Sequence, residues 1–354
     1  MRLDKLRQVL VEENLDAILV SQPENRRYLS GFTGSSGMLL ISPDRSMLAT
    51  DFRYFEQVQR EAPDFELVRI EGRPADALPG LLAEAGVQRL GFESQHLTVD
   101  QWHTFRQASD GVEWVPLKGT VEKMRAVKDE AEIEALRRST ALTDAAFAHL
   151  IEILDVGMTE RQVAWEIEAY MRTHGASKVS FDLIVAAGPN GALPHARPGD
   201  HSIQAGEPIV IDIGCVLDGY CSDMTRTICL GRPSDKYLEV WEIVLQAQET
   251  AEAGIQAGMG SVEADALARD VIEAAGYGDY FGHGLGHGVG LAVHELPRAS
   301  RLADDVFEPG MALTVEPGIY LPGEFGVRLE DLVIIGEDGV QVLTATHKTP
   351  TVGR

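Results

Sequence analysis

Residues 208–231 read PIVIDIGCVLDGYCSDMTRTICLG. Ile209, Ile211 and Ile213 alternate onto one face of a strand, and Asp212 falls on the other. Asp218-Gly219 separates this run from a second one, Tyr220 to Leu230, and is a two-residue hairpin signal. In that register Gly214 faces Asp223, and Asp212 lies on the same sheet face one diagonal step away. Two carboxylates therefore converge inside an apolar sheet. A buried, unpaired carboxylate is so costly that each needs a cation or hydrogen-bond donors. For one aspartate, backbone groups or Arg226 would serve; the pair points to metal.

Working outward, FGHGLGHGVGLAVHE (281–295) packs five glycines into nine residues and leaves His283, His287 and His294 as its bulky polar groups. That is the composition of a pocket wall. It is neither a dinucleotide-binding loop, whose third glycine is missing in every frame, nor a helical zinc signature, because Arg298 stands where the second histidine belongs. A lone histidine here would more often be structural than a ligand. Glu316 follows the apolar run Met311 to Val315, and Glu330 ends the run 326–329; both are expected on core strands, with a salt bridge to Arg328 as the ordinary alternative. Taken together, Asp212, Asp223, His287, Glu316 and Glu330 form an oxygen-rich set without thiolates. Such a set suits two divalent ions bridged by carboxylates, manganese before zinc or cobalt.

The first 115 or so residues alternate apolar runs (17–20, 38–41, 47–49, 65–70) with helical patterns, as in an α/β domain. A helix-rich segment follows over 120–154, so the boundary is placed between residues 119 and 120. Beyond it, strand-like stretches at 181–187, 208–216, 220–230, 311–315 and 327–335 surround helices near 234–257 and 261–275, an α+β pattern. A length of 354 residues suits two unequal domains. The formal charge of −24 would repel nucleic acid and anionic lipid. The opening MRLDKLRQVLVEENL reads as an amphipathic helix rather than an export signal, and no run of 18 apolar residues exists to span a membrane. Three cysteines, Cys215, Cys221 and Cys229, form no CxxC pair and are expected as small buried residues of a cytoplasmic protein.

The order of these motifs, with Asp212, Asp223, His287 in HGLGHGVG, Glu316 in TVEPGIY and Glu330 in GVRLED, resembles the prolidase, aminopeptidase P and methionine aminopeptidase family. RRYLSGFTGS and TDFRYFEQ extend the resemblance to the amino-terminal region, as in the creatinase, prolidase and aminopeptidase P branch. The resemblance implies a carboxy-terminal pita-bread fold behind a smaller creatinase-like domain. It also implies two bridged metals and a homodimer. The five ligands would hold the ions and a water between them. Glu316 would move protons. His195, in LPHARPGD, and His294 would line the substrate and stabilise the oxyanion; His283 would lie at the edge of the site, and Arg328 behind the ligating carboxylates.

The implied substrates are peptides with proline second. Proline has no amide hydrogen and locks its own backbone, so ordinary peptidases fail on it. Two activities fit: an Xaa-Pro aminopeptidase, favoured by the short amino-terminal domain, and an Xaa-Pro dipeptidase. The latter is suggested by Arg298, which matches a position where some dipeptidases hold the substrate carboxylate. Creatine hydrolysis is disfavoured by the complete ligand set, as is a non-catalytic scaffold that binds peptide in the cleft; a non-proline amidohydrolase is a third alternative.

Overall fold

The computed structural model describes residues 2–353, and the chain divides into two compact units, one ending at Arg125 and one beginning at Ala126. The first is built on a six-stranded sheet. Its strands are β1 (Ala17–Val20), β2 (Met38–Ile41), β3 (Ser46–Asp51), β4 (Glu66–Ile70), β5 (Arg89–Glu93) and β6 (Glu113–Leu117), in the order β4-β3-β2-β1-β5-β6. All pairs are parallel except those of β2, so the unit is a mixed α/β layer. The central strands are buried throughout, as continuous apolar runs covered on both faces should be. Four of the six strands were expected. β5 and β6 were not, because RLGFE and EWVPL contain no long apolar run, and Pro116 is tolerated only because β6 is an edge.

The second unit is α+β. Its strands begin with β7 (Lys178–Val179), β8 (Ile184–Ala187), β9 (Pro208–Ile213), β10 (Cys215–Leu217), β11 (Tyr220–Cys221) and β12 (Met224–Leu230). The hairpin turn is at Asp218-Gly219, where φ is 52° and 89°, the left-handed pair a type I′ turn requires. Leu217 pairs with Tyr220, Ile213 with Met224 and Asp212 with Thr225, one unbroken register that sets Gly214 opposite Asp223. At Gly214 the ribbon passes from one sheet to the next, and a Cβ there would overlap the Ser222 carbonyl. Ile209, Ile211 and Ile213 share one core cluster with Met224 and Ile228. The three cysteines are buried and free.

The remaining strands of the site are β13 (Gly286–Gly288), β14 (Glu295–Ala299), β15 (Ala312–Val315), β16 (Gly318–Leu321), β17 (Phe325–Arg328) and β18 (Asp331–Ile335). Helices Asp235–Gly254 and Ser261–Ala274 contribute Val240, Val244, Ala264 and Ala268 to the same core as Leu313, Val315, Ile319 and Val327. A further helix, Glu160–Thr173, was not expected, although Thr159 and Gln162 form a capping box at its start. Among the described residues no helix is long and apolar enough to cross a membrane.

Candidate metallopeptidase site

A cavity of about 580 Å³ opens in the second unit, and all ten residues singled out in the sequence line it. Asp212 sits within β9 and His287 within β13. Asp223, Glu316 and Glu330 lie in the short breaks before β12, after β15 and after β17. This corrects the expectation that both glutamates sit on core strands. The run 327–335 is two strands, and the bend between them turns Glu330 toward β12, where its N–H donates to the Thr225 carbonyl at 3.0 Å. Glu316 is held similarly, its N–H donating to Leu285 O at 2.9 Å. The 181–187 stretch likewise forms a strand only from Ile184.

Ligand-type atoms of Asp223, His287 and Glu330 lie within 4.8 Å of one another. His287 hydrogen-bonds Gly288 O through Nδ1 at 3.1 Å, which leaves the Nε2 lone pair directed at Glu316 Oε1 (3.4 Å) and Asp223 Oδ2 (3.7 Å). A lone pair facing carboxylates is unfavourable unless a cation stands between them. Burial, and then repulsion from Glu330 and Asp212, pushes the Asp223 carboxyl well above its ordinary range. Burial followed by Glu316 and Asp212 does the same to Glu330, and burial raises Glu316. Burial also lowers the pKa of His287, keeping it neutral and able to ligate. Finally, Asp212 Oδ1 is buried with no hydrogen-bond partner. The donor set therefore fits divalent cations, which would satisfy that oxygen and relieve the repulsion.

Around this cluster runs a second layer that neither spacing nor periodicity could show. Arg328 donates to Asp212 Oδ2 at 2.5 Å, to the Tyr320 hydroxyl at 2.8 Å and to Thr225 Oγ1 at 3.1 Å. Thr225 in turn donates to Glu330 Oε2 at 2.7 Å. Because the arginine already donates to Tyr320, the tyrosine hydrogen is free for His283 Nε2 at 2.9 Å, while His283 Nδ1 donates to Gly284 O at 2.8 Å. Arg226, the alternative partner considered for the aspartates, instead pairs with Asp331 at 2.6 Å. Tyr320 and Thr225 were missed as site residues; both stand beside or within the quoted motifs, which gave the only signal for them.

The substrate side of the cavity carries His195, His294 and Arg298. The rings of His294 and His287 meet edge to face, 4.3 Å apart. Burial, then the neighbouring His287 and His195, drives the pKa of His294 down to about 4, so it is neutral at pH 7. Arg298 is opposite His287 in the β13–β14 ladder and exposed, and its guanidinium makes no hydrogen bond or ion pair among the described residues.

Comparison with known proteins decides the family. The model for metallopeptidase family M24 matches residues 134–337, and that for the creatinase/prolidase N-terminal domain matches residues 2–127. The chain belongs to metallopeptidase family M24. It is an enzyme, a dinuclear metallopeptidase with a creatinase-type domain ahead of a pita-bread domain. It is 36% identical to the Xaa-Pro dipeptidase of Pyrococcus furiosus over 98% of each chain. Among solved structures it resembles the Xaa-Pro dipeptidase from Bacillus anthracis, at 44% identity and a TM-score of 0.96 over 99% of this chain and 98% of that one. It also resembles an X-Pro aminopeptidase from Thermotoga maritima, at 37% identity and a TM-score of 0.91 over the whole of both.

Proposed function

We propose that this M24 enzyme is an Xaa-Pro dipeptidase. The carrying observation is Arg298, whose guanidinium has no partner among the described residues and which stands opposite His287 at the cavity wall, whereas Arg328 is engaged by Asp212 and Arg197 lies on the His195 segment. A dipeptide presents a carboxylate one residue beyond the scissile bond, and a guanidinium grips it with two parallel N–H donors. Relatives named as dipeptidases support the same reading and reverse the sequence-based preference for an aminopeptidase. The aminopeptidase reading has its own support in the Thermotoga structure.

Asp212, Asp223, His287, Glu316 and Glu330 would hold two divalent ions, with manganese preferred by the oxygen-rich donors. When bound, the ions supply a Lewis acid for the carbonyl and lower the pKa of water toward neutrality. The chain's own residues do the rest. Arg298 fixes the proline carboxylate, and His195 with His294 donates to the carbonyl oxygen as it gains charge. Glu316, whose carboxyl pKa burial raises, takes a proton from the attacking water at its carboxylate oxygen. It returns that proton to the proline nitrogen as the C–N bond breaks, releasing the first residue as a free acid and proline as an amine.

Product release from Ala-Pro and Ala-Pro-Ala, with manganese supplied, tests this. Cleavage of the dipeptide alone supports the proposal, and equal cleavage of the tripeptide to alanine and Pro-Ala selects the aminopeptidase. Turnover of neither, or equal turnover of Ala-Ala, removes the Xaa-Pro assignment.

A further inference from the structure

Glu160 is a carboxylate with no exposed surface and no Lys or Arg partner among the described residues; the adjacent Arg161 pairs with Asp200 instead. It occupies the first position of helix Glu160–Thr173, but that helix is already capped by Thr159. The Glu160 side chain reaches away to another segment. Its Oε1 accepts from Ala187 N at 2.8 Å and Asn190 Nδ2 at 2.9 Å, and its Oε2 accepts from Gly199 N at 2.9 Å. Those donors stand at the two ends of the segment that carries Pro194, His195, Ala196 and Arg197 along the cavity wall. One carboxylate thus ties both ends of the loop through three N–H groups, beside the Arg161 N–H that donates to Gly199 O at 3.1 Å. Between the clamped ends, Arg328 adds one long contact, Nη1 to Pro194 O at 3.4 Å.

We infer that Glu160 is a positioning residue for the reaction: by clamping both ends of residues 187–199 it holds His195 where the substrate carbonyl will lie. The inference rests on His195 contacting substrate. A glutamine at 160 keeps the volume of the side chain but presents an NH₂ group to one of the N–H donors, so one end of the loop loses its side-chain tie and is left to the Arg161 N–H on Gly199 O or to the β8–β9 pairing of Ala187.

The test is a cycle of Glu160→Gln, His195→Ala and the double variant on Ala-Pro with manganese supplied, together with metal content and amide hydrogen exchange. Glu160→Gln should lower kcat/KM on the order of 10- to 100-fold, as expected for an approximately 1 Å misplacement. Metal content should stay unchanged, and exchange should quicken over residues 187–200 alone. On the His195→Ala background the same change should cost little further. Fully additive losses, or unchanged exchange in that segment, overturn the positioning role while leaving the dipeptidase reading intact. If the wild-type protein cleaves no Xaa-Pro substrate, the functional reading fails separately, and the positioning role falls with it. Should Glu160→Gln fail to fold, Asn190→Ala removes a single donor; it should show the same non-additive pattern at smaller size, and additivity there refutes the role equally.

Discussion

Arg298→Ala isolates the feature on which the choice of substrate turns. A hydrogen bond to a charged group contributes about 1.5–3 kcal/mol. Because Arg298 is exposed to solvent, the lower end applies, and about 1.4 kcal/mol corresponds to roughly tenfold in affinity. The interaction touches the carboxylate in both ground and transition states, so KM for Ala-Pro should rise about tenfold with kcat nearly unchanged. The same variant should process Ala-Pro amide, which lacks the carboxylate, as the wild type does. Arg298→Lys restores charge without the planar fork and should recover only part of the loss. Initial rates over a range of both substrates suffice. An unchanged KM for Ala-Pro, or an equal loss on the amide, would refute the assignment of this residue.

Three further outcomes follow from the acidic cluster and its packing. In metal-free protein, Asp223→Asn deletes one of four crowded carboxylates without altering shape, so the melting temperature should rise, by about 2–4 °C per kcal/mol relieved, while hydrolysis is lost even with manganese present; a lower melting temperature in chelator would sink this account. Asp223, Glu316 and Glu330 have pKa values raised by burial and mutual repulsion, so their contribution to metal-free stability is fully present below the ordinary carboxyl values of 3.8 and 4.5 and is lost as pH rises through the raised ones. Metal binding must displace the same protons, so titration calorimetry near pH 6 in two buffers should show proton release and an affinity that climbs with pH; a buffer-independent heat would contradict it. Gly286→Ala places a methyl group against the Thr314 carbonyl beside His287 and should lower the urea midpoint by roughly 1–3 kcal/mol equivalent, with an unchanged midpoint showing that β13 has more room than described.

Much of the site was legible because short-range rules act on it directly. A period of two placed Asp212 opposite the isoleucines, and the Asp218-Gly219 turn fixed the register that brings Asp223 beside it. Glu316 and Glu330 were found as residues but assigned to strands. The break after Val315 has a local signal in Pro317-Gly318, whereas Glu330 bonds the carbonyl of Thr225, which lies far away in sequence and leaves no periodic trace. Helix Glu160–Thr173 should have been read from Thr159, Gln162, Val163, Ile167 and Met171, since the cap and the apolar spacing are both local. Tyr320 and Thr225 are different. Their roles depend on where the Arg328 guanidinium points, and only the packed structure determines that.

The polar network around the acidic cluster explains how the fold holds so many acids together without a cation. Among the described residues Arg328 is the only buried cation that donates directly to a carboxylate of the cluster, and it does so to Asp212 alone; Glu330 receives a neutral hydroxyl, and Asp223 is left to repel its neighbours. If Arg328 were meant simply to neutralise the cluster, it would be expected to bridge several acids. Two of its other donor groups are instead taken by Tyr320 and Thr225. The cluster is thus fixed in place but left short of positive charge. Shape is supplied by rigid β-strands whose cores are apolar on the opposite face, and the missing charge is the quantity divalent ions bring. A mutation that completed the neutralisation from within the protein should therefore stabilise the fold and weaken metal binding together, the opposite of what a purely structural ion-pair network would do.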